Sequence, residues 1–494
     1  MPRDILLKKL LNFGVKGNFF NIIRSIYSND MACMKINNKC TKPFVINQGV
    51  RQGCVLSPLL FNIFISDLAK KLNSVDEKLA VDEFKLNSIF WADDIVLFAK
   101  SDKKLSEMIN LLASYCKENK LTINSKKTKC LIFNKSGRLI RQKFFLNGSE
   151  LENVRTYKYL GFVVTPSGEI KSGLHDLRDR ALKAFQILKN KMGDSFNRHV
   201  LTSLSLFENM IKPILLYASD FWGGLKLPQN NPIETLHMRI CKQILGVRKQ
   251  TTNLGVLLEI GRTPLENTCI KLAVKNWERV KKKKANMILL ASYNDAVKEN
   301  LSWISGIKGH LEQNGMLSFV INEYPNSPNF IHKKLYKRLN DQFHQNAFAS
   351  IRENTSKLRT YALAKTDIGM EPYLIETKNV SLRTQLTRFR LSNHNLMIEI
   401  GRHRGIPKDQ RYCPFCQDKV ETEIHFLLDC PTYNDLRERL SAHVNRINPY
   451  FRFYTRENKF AHLLSSVNLR EIGEFIYKCL ELRAFLSVNP KRED

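Results

Sequence analysis

The chain is short of acids. Lys and Arg number 78 against 47 Asp and Glu, a formal charge of +31 over 494 residues. That excess repels itself in a compact state unless a polyanion balances it, and nucleic acid is the usual polyanion. Long apolar runs are also missing. None reaches the roughly 18 residues a membrane span needs. The most apolar stretch, residues 55–65, is interrupted by Ser57, Pro58 and Asn62. No membrane partner is expected, and the amino terminus lacks the apolar core of a secretory signal. The 11 cysteines are odd in number and mostly scattered singly, which excludes a disulfide framework and reads as a reducing, intracellular compartment. There is no internal repeat and no low-complexity segment.

What is present is enough apolar residue, 43%, for real cores. The length predicts three or four packed units. Up to about residue 170, helix and strand signals mix. Residues 31–36 and 43–46 are short extended runs, with Asn37-Asn38 as a hairpin turn. A buried helix is expected from Ser57, with Ser57 capping it, Pro58 at its first position and apolar residues almost all round. Residues 89–91 and 95–98 predict two strands around Ala92-Asp93-Asp94. Residues 105–116 repeat at helical spacing. Residues 131–133, 144–146 and 157–164 read as strands. Residues 174–310 read as helical, broken at Pro228 and at 261–264, and include a lysine run at 281–284. Residues 310–410 are polar, basic and poorly patterned.

Asp93 and Asp94 carry the first chemistry. Adjacent like charges on a tight turn repel, and a turn needs only one of them. Divalent cations remove the conflict: Mg²⁺ takes carboxylate oxygens together with substrate phosphates, and two ions clamp an in-line displacement at phosphorus. The pair has company. Residues 49–61 read Gly-Val-Arg-Gln-Gly-Cys-Val-Leu-Ser-Pro-Leu-Leu-Phe, residues 90–98 Phe-Trp-Ala-Asp-Asp-Ile-Val-Leu-Phe, and residues 157–162 Tyr-Lys-Tyr-Leu-Gly-Phe. With residues 121–133, their order and spacing resemble the conserved blocks of reverse transcriptases from non-LTR (LINE-like) retrotransposons. The resemblance spans roughly residues 1–170 and continues loosely through Glu259-Ile-Gly-Arg-Thr-Pro-Leu265.

The resemblance implies roles. Asp93 and Asp94 correspond to the metal-binding pair, with Trp91 where Tyr or Phe is usual. Gln52 and Gly53 correspond to the loop along template and incoming nucleotide, where Gly permits close backbone approach. Lys127 and Thr128 correspond to a block beside the nucleotide phosphates. Tyr159, Leu160 and Gly161 correspond to the hairpin that grips the primer. The family's third carboxylate comes from a palm strand that precedes a Pro-Arg pair. Here the chain begins Met1-Pro2-Arg3, so that strand is expected to be absent, leaving an open sheet edge and an incomplete two-metal site. Asp4, Asp67 and Asp82 offer no replacement.

Residues 413–430 hold Cys413, Cys416, His425 and Cys430 in the spacing C-x2-C-x8-H-x4-C. Two cysteines two residues apart reach one tetrahedral metal from a turn, and a following helix completes it. Zn²⁺ is the expected metal, structural because four protein ligands leave no open position. The cluster resembles the zinc-binding module that follows the polymerase in many of these elements. Upstream, His394 in an Arg-rich segment (Arg383, Arg388, Arg390) reads as a surface histidine or a phosphate contact.

The expected fold is α+β. A partial right-hand palm without fingers spans 1–170, a helical thumb and connector 171–310, a basic linker or helical region 311–405, and the zinc-binding module with terminal helices 406–494. The family implies RNA-directed DNA synthesis with RNA template, DNA primer or target DNA and deoxynucleoside triphosphates as partners, in the nucleus. Lacking one carboxylate, the chain is expected to be inactive as a polymerase by itself. The alternative is a non-catalytic nucleic-acid-binding relic.

Overall fold

The computed structural model describes residues 1–76, 79–282, 286–321, 330–353, 357–464 and 469–488. The chain forms two compact units. The first is Met1–Ile170 with Lys283–Glu299; the second is Lys171–Lys282 with Asn300–Asp494.

The core of the first unit is built on four helices, joined by a fifth from later in the chain. Arg3–Asn12 and Gly17–Ser28 pack on Ser57–Leu72 through Leu6, Leu10, Ile23, Tyr27, Leu60 and Phe64. The next turns of the 57–72 helix, at Ile65, Leu68 and Leu72, face Met108, Tyr115 and Cys116 of the Asp102–Glu118 helix. That helix turns Ile109 toward Phe144, Leu146 and Leu151. The 57–72 and 102–118 helices thus each bury two faces in different clusters, which is why their apolar residues run wider than one stripe. The 57–72 helix is not covered all round, since Leu59 is 56% exposed. Nor does Ser57 cap it. The Ser57 hydroxyl donates to the Arg51 carbonyl (2.6 Å) and ties the preceding loop to the helix instead.

Strands in this unit are short and pair only in twos among the described residues. Asn37 and Asn38 take φ of 47° and 63° between Lys35–Ile36 and Lys39–Cys40, the mirror-image turn expected of Asn pairs. The strand expected at 131–133 forms earlier, as Lys129–Cys130, and runs parallel to Glu152–Asn153. Residues 157–164 are not one strand but a hairpin, Tyr157–Tyr159 against Phe162–Val164. The Met287–Lys298 helix returns to this unit. Its Asn294 amide donates to Asp82 (3.2 Å), and Lys298 pairs with the same carboxylate.

The second unit is helical, and the poor patterning of 310–410 was misleading. Helices Ile331–Arg352 and Val380–Arg390 lie within it. Some of their polar residues, His332, Arg383, Thr387 and Arg390, are buried, which blurs the amphipathic period. Glu278, at the end of Leu265–Lys281, accepts from the Ile331 backbone N–H (2.7 Å) and contacts the His332 ring (2.6 Å), so a carboxylate caps that helix start. Glu259 is fully buried and accepts from Tyr361 (2.7 Å), Tyr373 (2.5 Å) and Arg390 (2.8 Å). Arg390 reaches Glu371 as well (2.7 Å). Gly261 turns the chain at φ 62°, where a Cβ would lie 2.3 Å from the Met370 nitrogen. No helix is long and apolar enough to cross a membrane among the described residues. Lys281 lies over the Trp277 ring (5.0 Å), while Lys283 and Lys284 fall outside the described residues.

Candidate functional site

Asp93 and Asp94 sit at the tip of the hairpin Ser88–Trp91 and Asp94–Leu97, registered by Trp91 opposite Asp94. Ile95 and Leu97 pack inward against the 65–72 and 108–116 cluster, so the alternating pattern drives the tip out into solvent. Ala92 takes φ 53° there, a conformation that costs an alanine energy. Both carboxylates are exposed. The hairpin pairs with no third strand among the described residues, and Trp91 is 65% exposed beside the pair.

Tyr159 lies near this tip. Burial raises its hydroxyl above the ordinary value, and the Asp94 carboxylate raises it further. Leu160 and Gly161 both take positive φ, 45° and 83°, making the tight turn of the Tyr157–Val164 hairpin. Gln52 lines a cleft with Arg3, Asp30, Arg51, Met31 and Ile46. Arg3 organises that cleft. It donates to the carbonyls of Gly49 (3.0 Å) and Tyr27 (3.0 Å) and to Asp30 (2.6 Å). Arg51 joins Asp30 from the other side (3.0 Å). Gly53 has φ 82°, and the space where its Cβ would stand is open within 4 Å. Its glycine is explained by the backbone turn and leaves the loop's outer side clear. Lys127 and Thr128 hang on Asn124, through the Lys127 N–H to the side-chain oxygen (3.2 Å) and the Thr128 hydroxyl to the carbonyl (3.0 Å). The Lys127 side chain stands exposed.

No third acid joins the pair among the described residues. Asp67 is held by Lys9 (2.9 Å) and Tyr115 (2.5 Å), Asp82 by Lys298 and Asn294, and Asp30 by Arg3 and Arg51. Asp4 is exposed on the first helix.

The Cys-His cluster is assembled. The ligand atoms of Cys413, Cys416, His425 and Cys430 all lie within 4.8 Å of one another. Cys413 Sγ is 3.8 Å from Cys430 Sγ, and Cys416 Sγ is 3.4 Å from His425 Nε2. The first pair comes from a tight turn closed by Gln417 N–H to the Cys413 carbonyl (2.9 Å), with Gln417 at φ 53°. The second pair spans one π-turn, His425–Asp429, closed by Cys430 N–H to the His425 carbonyl (2.8 Å). The wider turn is what brings residues five apart onto one side. Three sulfurs and one imidazole, three of the four groups buried, suit zinc.

Around the cluster lies a shell that motif reading missed. Glu421 accepts from Cys413 Sγ (3.7 Å) and from Arg483. Glu423 accepts from His394 (3.1 Å) and Arg359 (2.6 Å). Burial alone would raise the Glu423 carboxyl, but His394 and Arg359 outweigh it and hold it down at about 2. The visible signal was two acids in alternation beside a ligand, in a chain short of acids. Thus His394 is neither a surface residue nor a phosphate contact: it is buried on Glu423. Arg383 and Arg390 are likewise buried, and Arg388 donates to the Gly246 carbonyl (3.0 Å).

Residues 1–164 match the family model of the reverse transcriptase (RNA-dependent DNA polymerase). A probable RNA-directed DNA polymerase from transposon BS of Drosophila melanogaster is 25% identical over 233 residues, 46% of this chain and 25% of that protein. A retrovirus-related Pol polyprotein from type-1 retrotransposable element R2 of Popillia japonica is 26% identical over 180 residues, 35% of this chain and 30% of that protein. The RNA-directed DNA polymerase from mobile element jockey of Drosophila funebris is 26% identical over 239 residues, 46% and 25% of the two. The chain thus spans under a third of the length of these relatives.

Proposed function

We propose, from the premise that the chain carries a reverse transcriptase of the non-LTR retrotransposon kind, that its 88–97 hairpin is the metal-holding turn of an RNA-directed DNA polymerase. Asp93 and Asp94 would hold divalent cations, which offset the paired charge and neutralise the phosphate oxygens of the incoming nucleotide. The observation that carries this reading is the exposed Asp-Asp tip, held by a strained Ala92 and approached by Tyr159. Tyr159, Leu160 and Gly161 would position the primer end beside it. Gln52 and Gly53 would lie along template and nucleotide, since the outer side of that loop is clear. Lys127 would offset charge on the leaving pyrophosphate. The partners are then an RNA template, a DNA primer or target and deoxynucleoside triphosphates. Cys413, Cys416, His425 and Cys430 would hold a structural zinc ion.

A protein of this sequence alone should not polymerise, because the pair finds no third acid among the described residues. The test is primer extension by the purified chain with Mg²⁺ or Mn²⁺, beside a binding assay across salt. No extension, with binding that weakens steeply as salt rises, is the expected result. Extension abolished by Asp93→Ala would overturn the inactivity. Absence of both extension and binding would overturn the reading itself. The second reading, a non-catalytic nucleic-acid binder, rests on the same absence of a third acid among the described residues. It predicts that Asp93→Ala leaves binding unchanged.

A further inference from the structure

One surface of the second unit has no part in the polymerase reading. The 3-10 turn Pro449–Phe453 follows the Asn434–Ile447 helix. Its Phe451 is buried, packed edge-on to Tyr454 (6.1 Å) and against His462 (5.5 Å). Asn448 fixes the turn from both ends. Its oxygen accepts from the Tyr450 N–H (3.1 Å) and its amide donates to the Tyr454 hydroxyl (3.0 Å). The same turn throws Tyr450 and Phe453 outward, each 72% exposed. An isolated exposed apolar residue means little, but two aromatic rings on a pinned turn are costly to leave in water.

Their spacing is informative. In a 3-10 turn, residues three apart lie one above the other, about 6 Å along the axis. That is close to two base-stacking distances of about 3.4 Å each. Arg452 lies over Phe453 (4.6 Å), and Arg446 and Arg456 flank the turn. Arg456 is paired with Asp429, whereas Arg446 and Arg452 pair with no acid among the described residues.

We propose that Tyr450 and Phe453 form a stacking platform for unpaired bases of single-stranded nucleic acid, with Arg452 and Arg446 following its phosphates. Rings give sequence-tolerant stacking and arginines give charge, the combination used by proteins that bind single strands without reading them. An apolar protein surface would cover the rings but leave Arg446 and Arg452 without counter-charge. The class of partner rests on the polymerase reading above; the site does not.

The full chain is titrated with a fluorescently labelled single strand of about 16 nucleotides and with the matching duplex. The double variant Tyr450→Ala/Phe453→Ala should bind the single strand about tenfold or more weakly, with its salt slope unchanged and duplex binding intact. Arg452→Ala should reduce the salt slope by about one. Tyr450→Trp/Phe453→Trp should retain binding, which separates stacking from misfolding. Equal single-strand binding by the alanine variant and the native chain would overturn the platform alone. A native chain that binds neither strand nor duplex would overturn the polymerase reading as well. Loss of self-association in the alanine variant, with strand binding intact, would also overturn the platform, by assigning the rings to a protein contact.

Discussion

Glu259 shows how much one side chain can organise. Two tyrosine hydroxyls and one guanidinium donate to a carboxylate with no solvent access. Burial, then the neighbouring Glu259 charge, holds both tyrosines well above their ordinary values, so they remain donors. Taking one partner from a buried pair costs about 3–5 kcal/mol. Glu259→Gln should sit at the low end, because Arg390 keeps Glu371. Tryptophan fluorescence in urea reads this directly, since Trp222 and Trp277 are buried in the same unit. A loss under about 1 kcal/mol would show the network relaxing around an amide. Asp67 gives the pH counterpart in the first unit. Burial alone would raise it, but the Tyr115 hydroxyl and Lys9 ammonium outweigh that and hold it below the ordinary value. Its stabilising effect is therefore present above the unfolded value near 4 and is lost as pH falls through the lower folded value. Asp67→Asn should speed hydrogen exchange in the Asp102–Glu118 helix at pH 6, and much less near pH 3.

At the scale of elements, turns carry the placement of function. Gly261 is the clearest structural case. Its left-handed backbone and the Met370 nitrogen at 2.3 Å from a would-be Cβ leave alanine two penalties at once. Gly261→Ala should cost upward of about 2 kcal/mol in urea unfolding of the second unit. Hairpins were legible where the turn residues announced themselves, as at Asn37-Asn38. The Asp-Asp turn was legible from its flanking apolar runs. The Leu160-Gly161 turn was hidden from pattern reading by β-branched and aromatic residues on both sides, which look like one continuous strand. Ser57 misled because a serine before Pro58 looks like a cap, while its hydroxyl serves the loop behind it. The grouping of the three cysteines with His425 could be read from spacing alone. Glu421 and Glu423 left only their alternation beside a ligand as a signal, and Arg359 and Arg483 left none, because their partners lie far off in sequence.

For the molecule as a whole, the two units should respond differently to metal. A structural zinc site in the second unit contributes its binding energy to folding. A strong chelator should therefore lower the unfolding temperature read by tryptophan, while hydrogen exchange in the Asp102–Glu118 helix stays as it was. An unchanged transition would remove zinc from the account. The chain's path adds a further consequence. The Met287–Lys298 helix belongs to the first unit, although 112 residues of the second, Lys171–Lys282, come before it. Its contacts with Asp82 join residues more than 200 positions apart, Lys298 to Asp82 being 216. Proteins are made from the amino terminus onward, and domains generally fold as units in that order. Here the first unit cannot be finished before part of the second has been made. Until residue 299 emerges, its 79–86 hairpin waits without its covering helix while 112 residues of another unit are already being spun out.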